Sequence, residues 1–190
     1  AMKKLGSELA LGILVVTLSV FATVANYVGS SYAGKGAGHT SAARQHLADA
    51  NREDGLAMQL IVLDYTMYDG FYINNGVNND AADYYYNNFS NELYASVQRN
   101  NPFDEQYYEE MYALSYEYAT LAEDEFAEAA VYAAKGSALG IITLFSAIGL
   151  SFAAYASLLK EGNRLRSVFG LLATVSVVVT ILQFLNGLTL

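Results

Sequence analysis

The sequence predicts an all-α membrane protein that has three transmembrane helices and a bundle of helices outside the membrane. Three observations predict this class. Hydrophobic residues make up 54% of the 190 residues and charged residues only 15%. Three uncharged runs are long enough to cross a bilayer, and 17 of the 19 acidic residues lie between the first run and the second. This composition is unusual for a soluble domain and typical of a protein with membrane spans.

The three runs cover residues 9–28, 137–159 and 167–190. A hydrocarbon core about 30 Å thick needs about 20 helical residues, so each run can span it alone. The first run is longer than the apolar region of a usual signal peptide, and we expect it to be a retained anchor. The predicted organisation is an N-terminal anchor (1–28), an acidic, Tyr-rich helical domain outside the membrane (29–136) and a two-span hairpin (137–190).

Positive side chains near the span ends predict the orientation. Lys3 and Lys4 precede the first span, and three more lie in the loop 160–166. In a three-span protein these two segments share one side, which the positive-inside rule assigns to the cytoplasm. The opposite side has three such residues, Lys35, Arg44 and Lys135. We therefore expect a multi-pass cell-membrane protein with residues 29–136 outside.

The composition also excludes several classes of function. The protein has no Cys, which excludes disulfides, thiol catalysis and Cys-ligated metal centres. A net charge of −9 speaks against a nucleic-acid partner. No Asp, Glu, Lys, Arg or His lies inside the three runs, whereas pumps and ion-coupled transporters normally need such a residue there. No phosphate-binding loop or nucleophile–base pair is recognisable, and we do not expect an enzyme.

The region 29–136 carries a net charge of −12 and 14 of the 16 tyrosines. Four glycines in 29–38 predict a break after the first span, and Thr40 or Ser41 is the expected N-cap of a new helix. The Asn-Gly-containing stretch 74–80 predicts a turn.

Two more helices are expected after that turn. One covers residues 81–99. The other begins with Asn101 as N-cap and Pro102 in its first turn. The first residues after Pro102 that interrupt the helical pattern are Gly136 and Gly140, so this third soluble helix is expected to continue into the second span.

His46, Asp49 and Glu53 are the only cluster of histidine with carboxylates on one predicted helix face. Their spacing of three and four residues is usable for a metal ion. A solvated helix face is the preferred interpretation, because such spacings are common in an acidic domain. Calcium at the Asn/Asp-rich stretch 74–83 is a second, weaker metal hypothesis, since the spacing of an EF-hand loop is absent. No other cofactor is expected.

Two further sets of residues support a channel hypothesis. Four carboxylates would form a negative ring in an oligomer, a candidate cation vestibule, although a solvated helix face is the preferred interpretation. These are Glu123, Asp124, Glu125 and Glu128. Polar stripes in the first and third spans would line a pore, although packing between helices is the preferred role. These stripes contain Ser19, Thr23, Ser176, Thr180 and Gln183.

Gly136 and Gly140 form a small-residue pair at the start of the second span. Small residues at this spacing let helices approach closely in a membrane, so we predict that these two glycines pack against another helix.

The Ser/Ala-rich end of the first span and the Tyr/Glu/Ala-rich stretch 107–134 give the protein a recognisable layout. It resembles short, uncharacterised prokaryotic membrane proteins with one N-terminal span, a helical extramembrane segment and a C-terminal two-span hairpin. The resemblance covers the whole sequence as architecture and implies no activity and no site residues. The middle segment of those proteins is expected to be richer in Lys and Glu than this one.

Three hypotheses for the function follow. The preferred one is a non-enzymatic membrane protein that forms homo-oligomers in the lipid bilayer, with the acidic domain mediating assembly or contact with a partner of unknown identity. The alternative is an oligomeric cation channel with an acidic outer vestibule. A third is a sensor on the outer surface, which would need a partner subunit because its cytoplasmic segments are short.

Overall fold

The computed structural model describes residues 7–187, and for residues 186 and 187 it describes the backbone alone. This part of the protein contains five α-helices and no strand, which confirms the all-α class. Lys3 and Lys4, which entered the prediction of orientation, lie outside the described residues. The helices are α1 (Glu8–Asn74), α2 (Asn79–Tyr86), α3 (Asn91–Gln98), α4 (Glu105–Leu158) and α5 (Arg164–Gly187).

Three of the helices are long and apolar enough to cross a membrane. The most apolar 18-residue windows of α1, α4 and α5 have mean hydropathies of 2.1, 1.9 and 2.3. Each of these helices exceeds the length that a bilayer core requires. The structure therefore supports a multi-pass membrane protein.

The protein divides into two compact units. The apolar unit consists of the residues up to His39 together with those from Ala127 onward, and it contains the apolar parts of α1, α4 and α5. The acidic unit is Thr40–Phe126. The acidic unit has 16 acidic and three basic residues, a net charge of −13.

The apolar unit has its core where α1, α4 and α5 meet. Ala25, Leu139 and Ile142 are buried together, and Phe184 of α5 packs against them. The ring of Phe184 also makes an edge contact with Phe21, with centroids 5.6 Å apart. Such a core holds three apolar helices together by close packing, which is the main source of helix association in lipid.

The predicted break in 29–38 is wrong: α1 passes through these residues as a helix. The reason is packing against α4. A Cβ at Gly29 would lie 3.5 Å from the Cβ of Leu139, and one at Gly36 would lie 3.4 Å from the Cβ of Tyr132. At Gly29 and Gly36, two of the four glycines, the missing side chain lets α4 approach α1, and this packing offsets the cost of about 1 kcal/mol for a glycine in a helix. The predicted helix start at Thr40 or Ser41 is likewise wrong, because both lie inside α1.

The acidic unit has an aromatic core. Ile61, Leu93 and Tyr107 are buried at its centre. Aromatic rings surround them, among them Phe103, which stacks on Tyr65 with centroids 4.1 Å apart. The high tyrosine content of the region therefore serves in part to fill this core.

The turn predicted in 74–80 is confirmed. Residues 75–77 form a turn, and Gly76 has a φ of +80°, which glycine adopts without strain. The single helix predicted over 81–99 is wrong, since α2 and α3 are separate helices. Ser90 causes the separation, because its side chain is the N-cap of α3 and accepts a hydrogen bond from the amide of Leu93.

The predicted start of the next helix is also wrong. α4 begins at Glu105, and Asp104, not Asn101, caps it: Asp104 Oδ1 accepts a hydrogen bond from the amide of Tyr107 at 2.9 Å. Pro102 lies before the helix, because Phe103 has a φ of +60° and cannot be helical there. This conformation accompanies the placement of the Phe103 ring in the aromatic core.

Candidate interaction surface

A buried carboxylate joins three segments of the acidic unit. Asp64 of α1 is only 2% exposed. It accepts hydrogen bonds from the backbone amide of Ser90 (3.0 Å), from the hydroxyl of Ser90 and from the hydroxyl of Tyr107 (2.9 Å). A buried carboxylate is tolerated when donors surround it in this way. Because the site is satisfied within the protein, we assign Asp64 a structural role.

Two neighbouring tyrosines of α4, Tyr107 and Tyr108, have raised pKa values. Burial, followed by the hydrogen bond to Asp64, raises the pKa of Tyr107 far above its usual value. The hydrogen bond to the hydroxyl of Tyr65, at 2.6 Å, and partial burial raise the pKa of Tyr108 to about 12. The raised pKa values extend the protonated state of both phenols further into alkaline pH, where they continue to act as hydrogen-bonding groups.

An apolar groove on the acidic unit, which we call the leucine groove, lies between α1 and α4. Its volume is about 520 Å³. Leu56, Leu60 and Leu63 follow one another at spacings of four and three residues on α1, and Leu114 lies across from them on α4. All four leucines are between 46% and 49% exposed. The groove is lined by Glu53, Leu56, Ala57, Gln59, Leu60, Leu63, Met111 and Leu114.

The four half-exposed leucines give the groove a capacity for binding. Complete burial of an exposed leucine yields about 1.5–3 kcal/mol, so the remaining halves of four leucines represent about 3–6 kcal/mol. The spacing of four and three residues is that of a helical seam, in which a second helix places its side chains between those of the first. The groove is therefore suited to an apolar helix.

The charged groups next to the groove are already paired. Glu53 is the single ionisable residue of the lining, and its carboxylate accepts a hydrogen bond from Arg52 at 2.8 Å. Arg52 also lies 3.3 Å from Asp49. The hydrogen bond with Glu53 is the main cause that raises the pKa of Arg52. A partner helix would thus meet leucines and a neutralised carboxylate.

The same arginine pairs with two of the three residues of the metal hypothesis. Asp49 and Glu53 are both engaged by Arg52, and the ring of His46 stacks on Tyr118 with centroids 6.2 Å apart. Within residues 7–187, no three His, Asp or Glu side chains form a group that could hold a metal ion.

The polar stretch proposed for calcium forms ordinary turn and cap contacts. Asn74 Nδ2 donates to the carbonyl of Gly70 at 2.7 Å. Asn78 Oδ1 accepts from the amide of Ala81 at 3.3 Å, as the N-cap of α2. The oxygen of Asn78 therefore already serves the helix.

The four carboxylates of the vestibule hypothesis fall into different units. Glu123, Asp124 and Glu125 belong to the acidic unit, whereas Glu128 belongs to the apolar unit. Glu123, Asp124 and Glu128 are exposed, and Glu125 is half-buried.

The polar stripes of the spans differ in burial. Thr180 is fully buried and Ser176 is 7% exposed, with its hydroxyl donating to the carbonyl of Leu172. Gln183 and Ser19 are half-buried, and Thr23 is exposed. Ser176 and Thr180 are thus buried by helices of the same molecule, which favours packing over pore lining for these two.

Of the two glycines at the start of the second predicted span, one packs against another helix and the other does not. A Cβ at Gly136 would lie 3.8 Å from the carbonyl oxygen of Gly29, so α1 covers this glycine. A Cβ at Gly140 would meet no atom within 4 Å. Both line a small groove of about 220 Å³ in the apolar unit, together with Ala25, Asn26, Gly29, Ser30, Ala33 and Thr143.

Sequence reasoning missed Asp64 and the leucines of α1. A single carboxylate in an acidic region gives no signal of burial, since its donors come from positions 90 and 107. The repeat of Leu56, Leu60 and Leu63 was a usable signal. A second stripe of α1, formed by Ile61, Tyr65, Tyr68 and Tyr72, has the same helical spacing and predicts the core equally well, and Ile61 and Tyr68 do contact the core.

Comparison of the sequence and structure with protein-family models, with curated proteins and with solved structures found no match.

Proposed function

We propose that this protein is a non-enzymatic, self-associating membrane protein in which the acidic unit mediates contact between copies through the leucine groove. The observation that carries the proposal is the set of four half-exposed leucines at helical spacing in one groove. The orientation belongs to the same proposal, with the acidic unit outside the cell and the loop 160–166 in the cytoplasm.

A second copy is the occupant that fits the groove best. The repeat on α1 is itself the kind of ridge that such a groove accepts, so two copies related by a two-fold axis can each offer a ridge and a groove. The contact would require no bare charge to be buried, since Glu53 is neutralised by Arg52. A partner that bound through opposite charge would instead need unpaired charged side chains in the lining of the groove.

Electrostatic repulsion opposes this association. Each acidic unit carries a net charge of −13, so two units repel one another at low ionic strength. Confinement of both copies to one bilayer raises their effective concentration and offsets part of this cost. Association is therefore expected to strengthen as salt is added, because the Debye length falls to about 10 Å at 0.1 M.

The oligomeric mass of the full-length protein in nanodiscs, measured by native mass spectrometry, tests the proposal. We expect a dimer or larger assembly for the natural sequence, and a shift to the monomer for Leu60→Glu, which places a charge in the groove. Val62→Glu is the matched control, because Val62 lies on the same helix, is 66% exposed and does not line the groove. Circular dichroism confirms that both variants are folded.

Two results would contradict the proposal. A monomer for the natural sequence at all salt concentrations rules out self-association. An oligomer that Leu60→Glu leaves intact places the contact elsewhere, and Gly140→Ile would then test the open glycine of the apolar unit.

The absence of cysteine makes the orientation testable with single introduced thiols. Val77 in the acidic unit and Glu161 in the hairpin loop are both exposed. In intact cells, a membrane-impermeant maleimide is expected to label Val77→Cys and to spare Glu161→Cys. The reverse pattern would invert the topology.

An oligomeric cation channel is the alternative function. Its support is the exposure of Glu123, Asp124 and Glu128. The burial of Ser176 and Thr180 within one molecule weakens it, because these hydroxyls would have to leave helix packing to reach a pore. Cation flux in liposomes that is abolished by the Glu123→Gln variant would favour the channel.

A further inference from the structure

The turn between α1 and α2 presents an asparagine followed by a glycine. Both Asn75 and Gly76 are exposed. Gly76 has a φ of +80°, and a Cβ built on it would meet no atom within 4 Å. The backbone of this pair is therefore unhindered and open to water.

The amide nitrogen of Gly76 is not held by a hydrogen bond among the described residues, whereas the amides on either side of it are. The amide of Asn75 donates to the carbonyl of Phe71 at 2.9 Å. The amides of Val77 and Asn78 both donate to the carbonyl of Asn74, at 2.9 and 2.8 Å. The amide nitrogen of Gly76, which lies next to the side chain of Asn75 in the sequence, is thus available for reaction.

We infer that Asn75 is a site of spontaneous deamidation, a covalent modification that needs only water. The deprotonated amide nitrogen of Gly76 attacks Cγ of Asn75. The new bond closes a five-membered succinimide, and the bond between Cγ and Nδ2 breaks to release ammonia. Water then opens the ring at either carbonyl, which leaves aspartate or, when the backbone now passes through Cγ, isoaspartate.

Other asparagines of the acidic unit lack one of these features. Asn101 precedes Pro102, which has no amide hydrogen to lose. Asn88 precedes the bulky Phe89, and its Nδ2 donates to the carbonyl of Tyr84 at 2.7 Å. Asn78 is engaged as the N-cap of α2.

A second Asn-Gly pair in the sequence provides an internal comparison. Residues 186–187 have the same dipeptide as residues 75–76, but their backbone belongs to helix α5. Closure of the succinimide needs a backbone conformation that a helix does not permit, so this pair must first unwind. The folded structure therefore selects Asn75 from two sites of equal chemical reactivity.

The modification changes both charge and geometry at the turn. Each converted molecule gains one negative charge beyond −9, a few residues from Asp80 at the start of α2. Two hydrogen bonds to the carbonyl of Asn74 close this turn, and isoaspartate lengthens the backbone inside it by one carbon atom. We expect the protein to age into forms that ion exchange separates.

Peptide mapping by mass spectrometry tests the inference on the full-length protein in nanodiscs, incubated at mildly alkaline pH and body temperature. Asn75 is expected to convert at least about tenfold faster than Asn186 in the folded protein, because a loop tip opens at less cost than a helix. Methylation by an isoaspartate-specific methyltransferase should label the same peptide. In denaturant the two sites should react at similar rates.

The Asn75→Gln variant is the control, and it should abolish the early charge variant. An Asn75 that stays amidated in the folded protein while it converts in denaturant would overturn the inference. Equal rates at Asn75 and Asn186 in the folded protein would overturn it as well, since the turn would then confer no selectivity.

Discussion

The hydroxyl of Tyr107 donates a hydrogen bond to the carboxylate of Asp64 across 43 positions of the sequence, at a distance of 2.9 Å, and both residues are buried. The contact ties α4 to α1, and the hydrogen bonds from Ser90 tie the segment between α2 and α3 to the same carboxylate. One acceptor thus fixes the relative positions of three segments of the acidic unit.

Removal of the Tyr107 hydroxyl is expected to destabilise the acidic unit by about 1.5–3 kcal/mol, the range for a hydrogen bond to a charged group. Tyr107→Phe keeps the ring in the core and deletes only the donor. Tyr108→Phe is the control, since it removes a hydrogen bond between two neutral hydroxyls, worth about 0.5–1.5 kcal/mol. Thermal unfolding, followed by circular dichroism, measures the loss of stability in both variants. Equal losses would contradict a larger contribution from the hydrogen bond to Asp64.

Gly70 is expected to resist replacement because Tyr85 covers it. A Cβ at Gly70 would lie 2.5 Å from the ring of Tyr85. Gly70→Ala should therefore cost about 1–3 kcal/mol, the usual range for overpacking. Gly55→Ala in the same helix meets no atom within 4 Å and should instead stabilise the protein by about 0.5–1 kcal/mol. In a Tyr85→Ala background Gly70→Ala should lose its cost, and persistence of the cost there would contradict the explanation.

A close approach in the apolar unit makes a parallel prediction for the membrane helices. A Cβ at Gly149 would lie 2.7 Å from the Cβ of Ser176 and 2.8 Å from Cδ1 of Leu18. Gly149→Ala is expected to push α1 and α5 away from α4 and to lower stability in detergent by about 1–3 kcal/mol. Gly12→Ala has open space and should be neutral or stabilising. If the two variants melt at the same temperature, the close approach is absent in the detergent-solubilised protein.

The ion pair before α4 predicts a dependence of stability on pH. The hydrogen bonds from Arg99, the shorter at 2.6 Å, hold the pKa of Asp104 below its usual value of 3.8. A carboxyl group whose folded-state pKa is depressed contributes stability above the unfolded-state pKa and loses it as the pH falls through the folded-state value. The loss should therefore appear as the pH falls below about 4.

Asp104→Asn tests this dependence. The variant should melt at a lower temperature near neutral pH, and the difference from the natural protein should shrink in acid. Arg99→Gln should give the same profile, since it removes the other half of the pair. A difference that stays constant down to the acid limit would assign the effect to the helix cap alone.

The three helices that are long and apolar enough to cross a membrane could be predicted from the sequence, because this capacity is a local property of about 20 residues. The turn around Gly76 is local for the same reason. The break at Ser90 was harder to predict, because the pattern of 81–99 favours one helix. Ser90 caps α3 locally, and its amide also donates to Asp64, which lies 26 positions away. The backbone conformation of Phe103 was hard to predict for a similar reason, since its positive φ accompanies the placement of its ring in the core.

The candidate surface was harder to predict than the fold. The leucines of α1 and the stripe through Ile61 are both helical patterns, and only the position of α4 decides which of them it covers. The role of the glycines of α1 also depends on α4. Taken alone, these glycines indicate a flexible segment, but in the structure Gly29 and Gly36 pack closely against α4.

Ser90 also limits how this protein can change in evolution. Its hydroxyl donates to Asp64 and accepts from the amide of Leu93, so a single atom serves the core and a helix cap. Threonine retains both hydrogen bonds, and any other replacement gives up at least one of them. In descendant sequences we expect position 90 to be serine or threonine as long as positions 64 and 107 remain aspartate and tyrosine, even where the neighbouring exposed tyrosines drift freely.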